Sequence, residues 1–292
     1  MVETFLTYLR YELYRSERTV HVYGSDLRSF EAYFKSQDAS LRWDTVDGDV
    51  IRNWMEVMMD KGNKASSVDR RLSSLHTFYR WALAHGIVSS DPSHGIQGPK
   101  KERVLPQFLK ESQMDALLDS METATEYKDI LTRTVVMTFY ETGIRLSELL
   151  GLRDADVSFV NNELKVTGKR NKQRIIPFGG ELREALTGYM ARRDHDIERK
   201  SDALFLTEKG LALTTSQVET MVRRSLSKVC TLKKRSPHVL RHTFATAMLN
   251  HEAGLESVKK LLGHAKLSTT EIYTHTTFEQ LKRVYKEAHP RA

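Results

Sequence analysis

The chain is organised around residues 238–275, which read HVLRHTFATAMLNHEAGLESVKKLLGHAKLSTTEIYTH. His238 and Arg241 are three residues apart and share one face of a predicted helix. A second predicted helix carries an apolar stripe and ends at a glycine directly before His264. Tyr273 lies on the first turns of a third predicted helix. We therefore expect short helices that gather two histidines, an arginine and a tyrosine into a phosphate pocket with a hydroxyl nucleophile.

The composition narrows the classes of protein to consider. The 292 residues suffice for two domains with cores of their own, and the formal net charge of +7 suits a polyanionic partner. Cys230 is the only cysteine, which argues against a disulfide framework or a cysteine zinc site and fits a reducing, cytoplasmic compartment. We expect neither a signal peptide nor a membrane span, because the sequence shows no apolar run of the required length.

Residues 1–90 are predicted to form a helical domain, because apolar residues recur at helical spacing in successive segments. Thr19 and Asp47 are predicted to cap the second and third helices, and a fourth helix is expected from about Ala65. One face of this fourth helix is basic and carries Lys64, Arg70, Arg71 and Arg80. Such a face is most often solvated surface; on a basic chain it could also contact DNA phosphates.

Residues 91–106 are predicted to be a linker, because proline and glycine recur there, and a second domain is expected from 107 to 292. Alternating apolar residues in 163–167, followed by a second short run at 174–177, predict a β-hairpin. Its turn is cationic through Lys169, Arg170, Lys172 and Arg174. This turn could enter a DNA groove or could simply be solvated.

Arg145 stands just after a Thr-Gly break between two predicted helices. An arginine in that position either pairs with Glu148, three residues further on, or points into a site. The spacing alone favours neither interpretation.

Six side chains could together carry out phosphoryl transfer: Arg145, Lys169, His238, Arg241, His264 and Tyr273. Arginines can brace the non-bridging oxygens of a phosphodiester, and a tyrosine can attack the phosphorus to form a phosphotyrosine. A lysine and a histidine can move the protons. No carboxylate or Cys/His cluster at metal-ligand spacing accompanies them in the sequence, so neither a metal nor another cofactor is expected.

These motifs resemble those of the tyrosine recombinase (phage integrase) family, in its Xer-type branch. They read TGIRLSEL at 142–149, PHVLRH at 237–242, LLGH at 261–264 and STTEIYTH at 268–275. The resemblance covers nearly the whole chain.

The resemblance implies a mainly α protein that closes on double-stranded DNA as a C-shaped clamp. A helical, SAM-like DNA-binding domain (1–90) would precede a linker (91–106) and an α-rich catalytic domain with a small antiparallel sheet (107–292). It also implies a tetramer of one or two kinds of protomer on two recombination sites, a Holliday junction and a 3′-phosphotyrosine. The resemblance leaves the biological role open among chromosome dimer resolution, integration or excision of a mobile element, and inversion of a promoter.

Roles for single residues also follow from the resemblance. Arg145 and Arg241 would clamp the scissile phosphate, with His264 hydrogen-bonded to it. Tyr273 would be the nucleophile and Lys169 the general acid.

The remaining roles are supporting. His238 would assist proton transfer, and Glu148 would orient the site. Arg170 departs from the family pattern, which usually has glycine there; a turn with positive φ would strain it. The final predicted helix, 277–288, would dock into a neighbouring protomer by the resemblance, whereas packing on its own domain is the simpler expectation.

Two other functions share part of this pattern. A type IB topoisomerase would use the same chemistry to relax DNA without strand exchange. A non-catalytic DNA-binding protein would use the segment from Leu255 to Tyr273 as a helix-turn-helix. Strand exchange distinguishes the first alternative, and covalent trapping of DNA distinguishes the second.

Overall fold

The computed structural model describes residues 1–100, 107–168, 171–263 and 275–291, and for 275–279 it describes the helical backbone alone. The chain divides into two compact units, Met1–Val104 and Leu105–Ala292. Each unit has a hydrophobic core of its own. Among the described residues, no helix combines the length and the apolar character that crossing a membrane requires.

The first unit is built from helices whose apolar stripes close on one core. They are α1 (Val2–Tyr11), α2 (Glu17–Gln37), α3 (Gly48–Asp60) and α4 (Ala65–Ala84). Aromatic rings fill the centre: the ring of Phe78 lies 5.4 Å from that of Phe5 and 4.5 Å from that of Trp43. Rings at these separations add to the stability that burial provides.

The predicted start of α3 is confirmed, because the side chain of Asp47 accepts hydrogen bonds from the first-turn amides of that helix. The predicted start of α2 is wrong. Ser16 rather than Thr19 is the cap, since Ser16 has an extended backbone and its hydroxyl accepts from the Thr19 amide at 3.3 Å. The helix therefore begins at Glu17, inside the stretch expected to precede it.

The second unit is mainly helical with one small sheet. Its elements are α5 (Glu111–Asp119), α6 (Tyr127–Thr142), α7 (Leu146–Leu150), β1 (Val157–Ser158), β2 (Glu163–Thr167), β3 (Gln173–Pro177), α8 (Gly180–Asp196), α9 (Thr215–Leu226), α10 (Pro237–Asn250), α11 (Leu255–Leu262) and α12 (His275–Ala288). Helix α6 is buried along most of its length and packs against α8, α9 and α10. This central helix ends at the Thr-Gly break that the sequence predicts.

The strands form an antiparallel sheet in the order β1-β2-β3, and β2 and β3 make the predicted hairpin. In its register, Leu164 lies opposite Ile176, and Val166 lies opposite Arg174. Leu164, Val166 and Ile176 are fully buried, whereas Ile175 is 43% exposed. Since side chains alternate between the faces of a strand, Arg174 belongs to the face that meets the core.

Helix α12 packs on its own unit. Leu281, Tyr285 and Ala288 are buried in the core of residues 105–292, and His289 is buried just beyond the helix. The ring of His289 stacks on that of Tyr285, with 5.1 Å between their centroids. The simpler expectation for this helix, packing within the chain, describes the structure.

Candidate active site

Two helices end on left-handed glycines at the same site. Helix α6 is capped by Gly143 (φ 59°) and α11 by Gly263 (φ 65°). A side chain at Gly143 would also lie far inside contact distance of the Phe244 ring. Only glycine can adopt this positive φ and also allow the Phe244 ring to approach so closely. Both helices therefore stop sharply and leave their last carbonyl groups available.

Two arginines are fixed by those carbonyl groups. Arg241, on α10, donates from Nη1 to the Gly143 carbonyl at 2.5 Å and from Nη2 to the Leu262 carbonyl at 2.7 Å. Arg145, at the start of α7, donates from Nη2 to the Gly263 carbonyl at 3.0 Å. The carboxyl end of a helix is partly negative, so it stabilises a cation there.

Glu148 lies between the arginines, with a side chain only 1% exposed. Its carboxylate accepts hydrogen bonds from the backbone amide and Nη1 of Arg145, both at 2.8 Å. Nη1 and Nη2 of Arg174 donate to its two oxygens at 2.8 and 3.0 Å. The predicted pair of Arg145 with Glu148 is therefore confirmed, and Arg145 also reaches the end of α11.

The pKa of Glu148 follows from these contacts. Burial by itself would raise it, but the hydrogen bonds and charge of Arg174, together with those of Arg145, outweigh burial and lower the pKa to about 2. Glu148 is therefore ionised at neutral pH. We call Glu148 with Arg145, Arg174 and Arg241 the arginine cluster.

Arg174 corrects the prediction of an exposed cationic turn. Its side chain is 8% exposed, and Nε donates to the Leu261 carbonyl at 2.7 Å, in addition to its two bonds to Glu148. The register of the hairpin explains this, because Arg174 pairs with buried Val166 and shares its face. Lys172, in the turn itself, is exposed as expected.

The pKa of Arg241 is lowered by its surroundings. Burial and the charges of Arg145 and Arg174 lower its pKa to about 10, with Glu148 acting in the opposite direction. It still carries its charge at neutral pH. Three guanidinium groups around one carboxylate leave a surplus of positive charge, which suits an anionic ligand.

Of the other predicted catalytic residues, the structure describes only His238. His238 is exposed on the first turn of α10, three residues before Arg241. The predicted residues Lys169, Arg170, His264 and Tyr273 lie outside the described residues.

The backbone next to two of those residues is placed at the cluster. A Cβ on Gly168, directly before Lys169, would lie 3.3 Å from Oε1 of Glu148. Gly263, directly before His264, gives its carbonyl to Arg145. Within the described ranges, no three His, Cys, Asp or Glu side chains group closely enough to hold a metal ion.

The basic face of α4 divides into two kinds of residue. Lys64 and Arg80 are exposed. Arg70, whose side chain is also 47% exposed, pairs with Asp26, which is only 4% exposed and accepts from the hydroxyl of Ser74 at 2.8 Å. Arg71 is half-buried and lies 3.9 Å from the same carboxylate. Two of the four residues of this predicted DNA-contacting face therefore also lie against a buried carboxylate, which the sequence does not predict, while Arg70 remains exposed.

Comparison with known proteins gives matches across both units. The profile of the phage integrase family matches residues 107–280, and that of the phage integrase N-terminal SAM-like domain matches residues 2–86. Tyrosine recombinase XerC of Chlorobaculum parvum is 36% identical over 317 residues, covering 100% of this chain and 94% of the relative. Tyrosine recombinase XerD of Oceanobacillus iheyensis is 34% identical over 295 residues, covering 100% and 98%.

Solved structures share the fold. The XerH site-specific recombinase bound to a palindromic difH substrate aligns with a TM-score of 0.74 at 22% identity, over 97% of this chain and 82% of that one. The Tn1549 transposon integrase in complex with a circular intermediate DNA aligns with a TM-score of 0.74 at 18% identity, over 97% and 98%. With these matches over both units, the chain belongs to the phage integrase family of tyrosine recombinases.

Proposed function

We propose that this protein is a site-specific DNA recombinase that cuts and rejoins strands through a 3′-phosphotyrosine and a Holliday junction. The observation that carries the proposal is the arginine cluster, in which Arg145 and Arg241 are locked onto helix-end carbonyls around ionised Glu148. Such a cluster is organised before any substrate binds. It therefore needs little rearrangement to stabilise charge on a phosphate.

We assign the scissile phosphate to the open side of this cluster. The side chain of Arg145 is 37% exposed, so part of its guanidinium can meet a phosphate while its bonds to Glu148 and Gly263 persist. Arg241 supplies a second cation from the buried side. Donors held in this way favour the five-coordinate transition state, in which negative charge moves onto the non-bridging oxygens.

In the proposed reaction, the Tyr273 oxygen attacks phosphorus while the bond from phosphorus to the 5′ oxygen breaks. The tyrosine proton passes to His238, and Lys169 gives a proton to the leaving 5′ oxygen, which departs as a hydroxyl. His264 donates a hydrogen bond to the phosphate. In the reverse direction, the 5′ hydroxyl of another strand attacks the phosphotyrosine and releases Tyr273. The energy of the phosphodiester stays in the protein–DNA bond, so rejoining requires no nucleotide.

The proposed partner is double-stranded DNA, bound at two recombination sites by four protomers of one or two kinds, in the cytoplasm. Relatives support this: the solved XerH structure holds a difH substrate, and the Tn1549 integrase holds a circular intermediate DNA. Phosphate contacts away from the active site are assigned to the exposed cations Lys64, Arg80 and Lys172. Chromosome dimer resolution is the role we favour, with integration or excision of a mobile element as the second.

Covalent capture tests the proposal. The protein is incubated with sheared DNA from its own source, denatured, and the DNA that remains attached is sequenced. A nicked suicide duplex is then built on the recovered site. Wild type should form an adduct on the peptide that contains Tyr273, and Tyr273→Phe should bind the duplex but form none. An adduct that persists in Tyr273→Phe would remove the assignment, and relaxation without exchange between two sites would indicate a topoisomerase.

A further inference from the structure

We propose that Arg174 is a positioning residue for strand cleavage, which anchors the β2–β3 hairpin and thereby holds the turn that carries Lys169 in place. The inference rests on the proposed function, because it concerns the residue assigned there as the general acid. The sequence pattern places Arg174 on a cationic turn that enters a DNA groove or is solvated, and the resemblance assigns it no role.

The contacts of Arg174 tie three parts of the chain together. From β3, its guanidinium donates two hydrogen bonds to Glu148 on α7, at 2.8 and 3.0 Å. Its Nε donates to the Leu261 carbonyl at the end of α11, at 2.7 Å. A single side chain thus joins the hairpin, the helix that follows Arg145 and the helix end that precedes His264.

The fit around Arg174 is close. A Cβ built on Gly263 would lie 3.1 Å from its Nη1 and 3.2 Å from its Cδ, so the guanidinium packs directly on that glycine. The side chain is 8% exposed, which leaves little of it for a DNA phosphate. A role inside the protein therefore agrees better with its burial than a direct DNA contact does.

Anchoring Arg174 fixes the described ends of the hairpin turn. Residues 168–172 connect the paired strands, and the amide of Gly168 donates to the Lys172 carbonyl at 2.7 Å. Gly168 also borders Glu148 from the β2 side. Both ends of the turn therefore lie against the Glu148 carboxylate. The β3 end is held by the hydrogen bonds of Arg174, and the β2 end by the close packing of Gly168.

Lysine could not replace arginine in this anchor. A guanidinium presents five N–H groups in a rigid plane, so it can bind both oxygens of Glu148 and a carbonyl on its other edge at once. An ammonium is a single nitrogen and cannot span those acceptors. Arg174→Lys therefore keeps the charge while it loosens the hairpin, which separates positioning from net charge.

The experiment uses the full chain and the nicked suicide duplex, with Arg174→Lys as the test and Arg192→Lys as the matched control. Arg192 lies on α8, is half-exposed and pairs with Asp196 away from the arginine cluster. Single-turnover cleavage by Arg174→Lys should fall on the order of 10- to 100-fold, the loss typical of a misplaced catalytic group. The dissociation constant for the duplex should change less than about twofold, and Arg192→Lys should match wild type.

A second substrate carries sulfur at the bridging 5′ position of the scissile phosphate. A thiolate leaves without a proton, so this substrate has no need of a well-placed Lys169. It should restore most of the cleavage rate lost in Arg174→Lys. A defect of the same size on both substrates would overturn the inference.

Two further outcomes would also overturn it. If Arg174 contacts a phosphate, Arg174→Lys should weaken binding, and Arg174→Gln should lower the slope of log affinity against log salt by about 0.9. If both variants lose their folded structure in thermal melts, Arg174 is structural only. Absence of any adduct in wild type refutes the proposed function itself, whereas normal cleavage by Arg174→Lys refutes only this inference.

Discussion

Glu141 and Glu148 lie seven residues apart, and burial affects them in opposite ways. Both carboxyl groups are almost fully buried. Glu148 receives hydrogen bonds from two arginines and an amide, and its pKa falls to about 2. Burial raises the pKa of Glu141 to about 8; among the described residues, its donors are the Gly179 amide at 3.1 Å and the Tyr285 hydroxyl at 3.5 Å. The charged hydrogen-bond partners of these carboxyl groups, rather than their degree of burial, decide which of the two is ionised at neutral pH.

The positions of the two glutamates show what each does. Glu148 belongs to the arginine cluster, whereas Glu141, at the end of α6, meets α12 through Tyr285 and the loop before α8 through Gly179. Among the described atoms, Oε1 of Glu141 has no hydrogen-bond partner. We therefore interpret Glu148 as part of the active site and Glu141 as a packing residue near the tail.

The largest expected effect is on Glu148. Glu148→Gln leaves buried Arg174 and partly buried Arg145 without the negative charge that they share. The free energy of unfolding should fall by about 3–5 kcal/mol, the usual loss when one partner of a buried ion pair is removed. Urea unfolding at pH 7 measures it. A loss below about 1 kcal/mol would contradict the buried pairing seen here.

A second prediction concerns pH. Folded Glu141 keeps its proton up to pH near 8, whereas an unfolded glutamate loses it near 4.5, so its contribution to stability should decline as pH rises between those values. The decline should be on the order of a few kcal/mol. The pH dependence that Glu148 adds to stability has the opposite sign. Its stabilising contribution is present above pH 4.5 and is lost as pH falls toward 2.

The matched variant for this test is Glu141→Gln, which cannot ionise. Unfolding by urea at several pH values from 5 to 8.5 should show a smaller decline in Glu141→Gln than in wild type, with the variant the more stable protein at pH 8.5. Parallel stability curves for the two proteins would show that Glu141 is ionised in the fold.

Asp26 extends the comparison to the first unit, because it too is a buried carboxylate paired with arginine. Arg70→Ala should lower the free energy of unfolding by about 1–3 kcal/mol, since Arg71 and Ser74 still face the carboxylate. Exposed Arg80 should behave differently. Arg80→Ala should leave stability within about 0.5 kcal/mol of wild type and lower the slope of log affinity against log salt by about 0.9.

Thermal melts and salt titrations of Arg70→Ala and Arg80→Ala test these two predictions. A salt slope that falls in Arg70→Ala but not in Arg80→Ala would reverse the assignment of the basic face.

A small effect is expected at Tyr285. Tyr285→Phe removes a hydroxyl that reaches Glu141 only at 3.5 Å and keeps the buried ring. The free energy of unfolding should change by about 1 kcal/mol or less. Leu281→Ala, on the same helix, should lose about 2–5 kcal/mol, because it leaves a cavity in the core. Equal losses in the two variants would contradict the packing of α12 described above.

Local patterns in the sequence were enough to predict much of the fold. The spacing of apolar residues predicts the helices, and Gly263 predicts the end of α11. The alternation of apolar and polar residues predicts the hairpin. The predicted cap of α2, Thr19, lies three residues after the observed cap, Ser16. Both side chains can cap a helix, and the extended backbone at Ser16 decides between them. Local signals of this kind require no knowledge of distant contacts.

The partners of the buried charged groups could not be predicted from local patterns in the sequence. Glu148 meets Arg174 across 26 residues, and Arg241 meets Gly143 across 98. The alternation of Arg174, Ile175 and Ile176 did contain a signal, since only one of the two strand faces is buried. Recognising it requires the register, which assigns Arg174 to the face of Val166.

The most direct test of the arginine cluster is the single-turnover rate of covalent adduct formation on the suicide duplex, measured side by side for Glu148→Gln and Glu141→Gln. We predict that Glu141→Gln forms the Tyr273 adduct at the wild-type rate, and that Glu148→Gln is slower on the order of 100-fold while its affinity for the duplex changes little. Equal rates for the two variants would contradict the claim that the Glu148 carboxylate organises the active site.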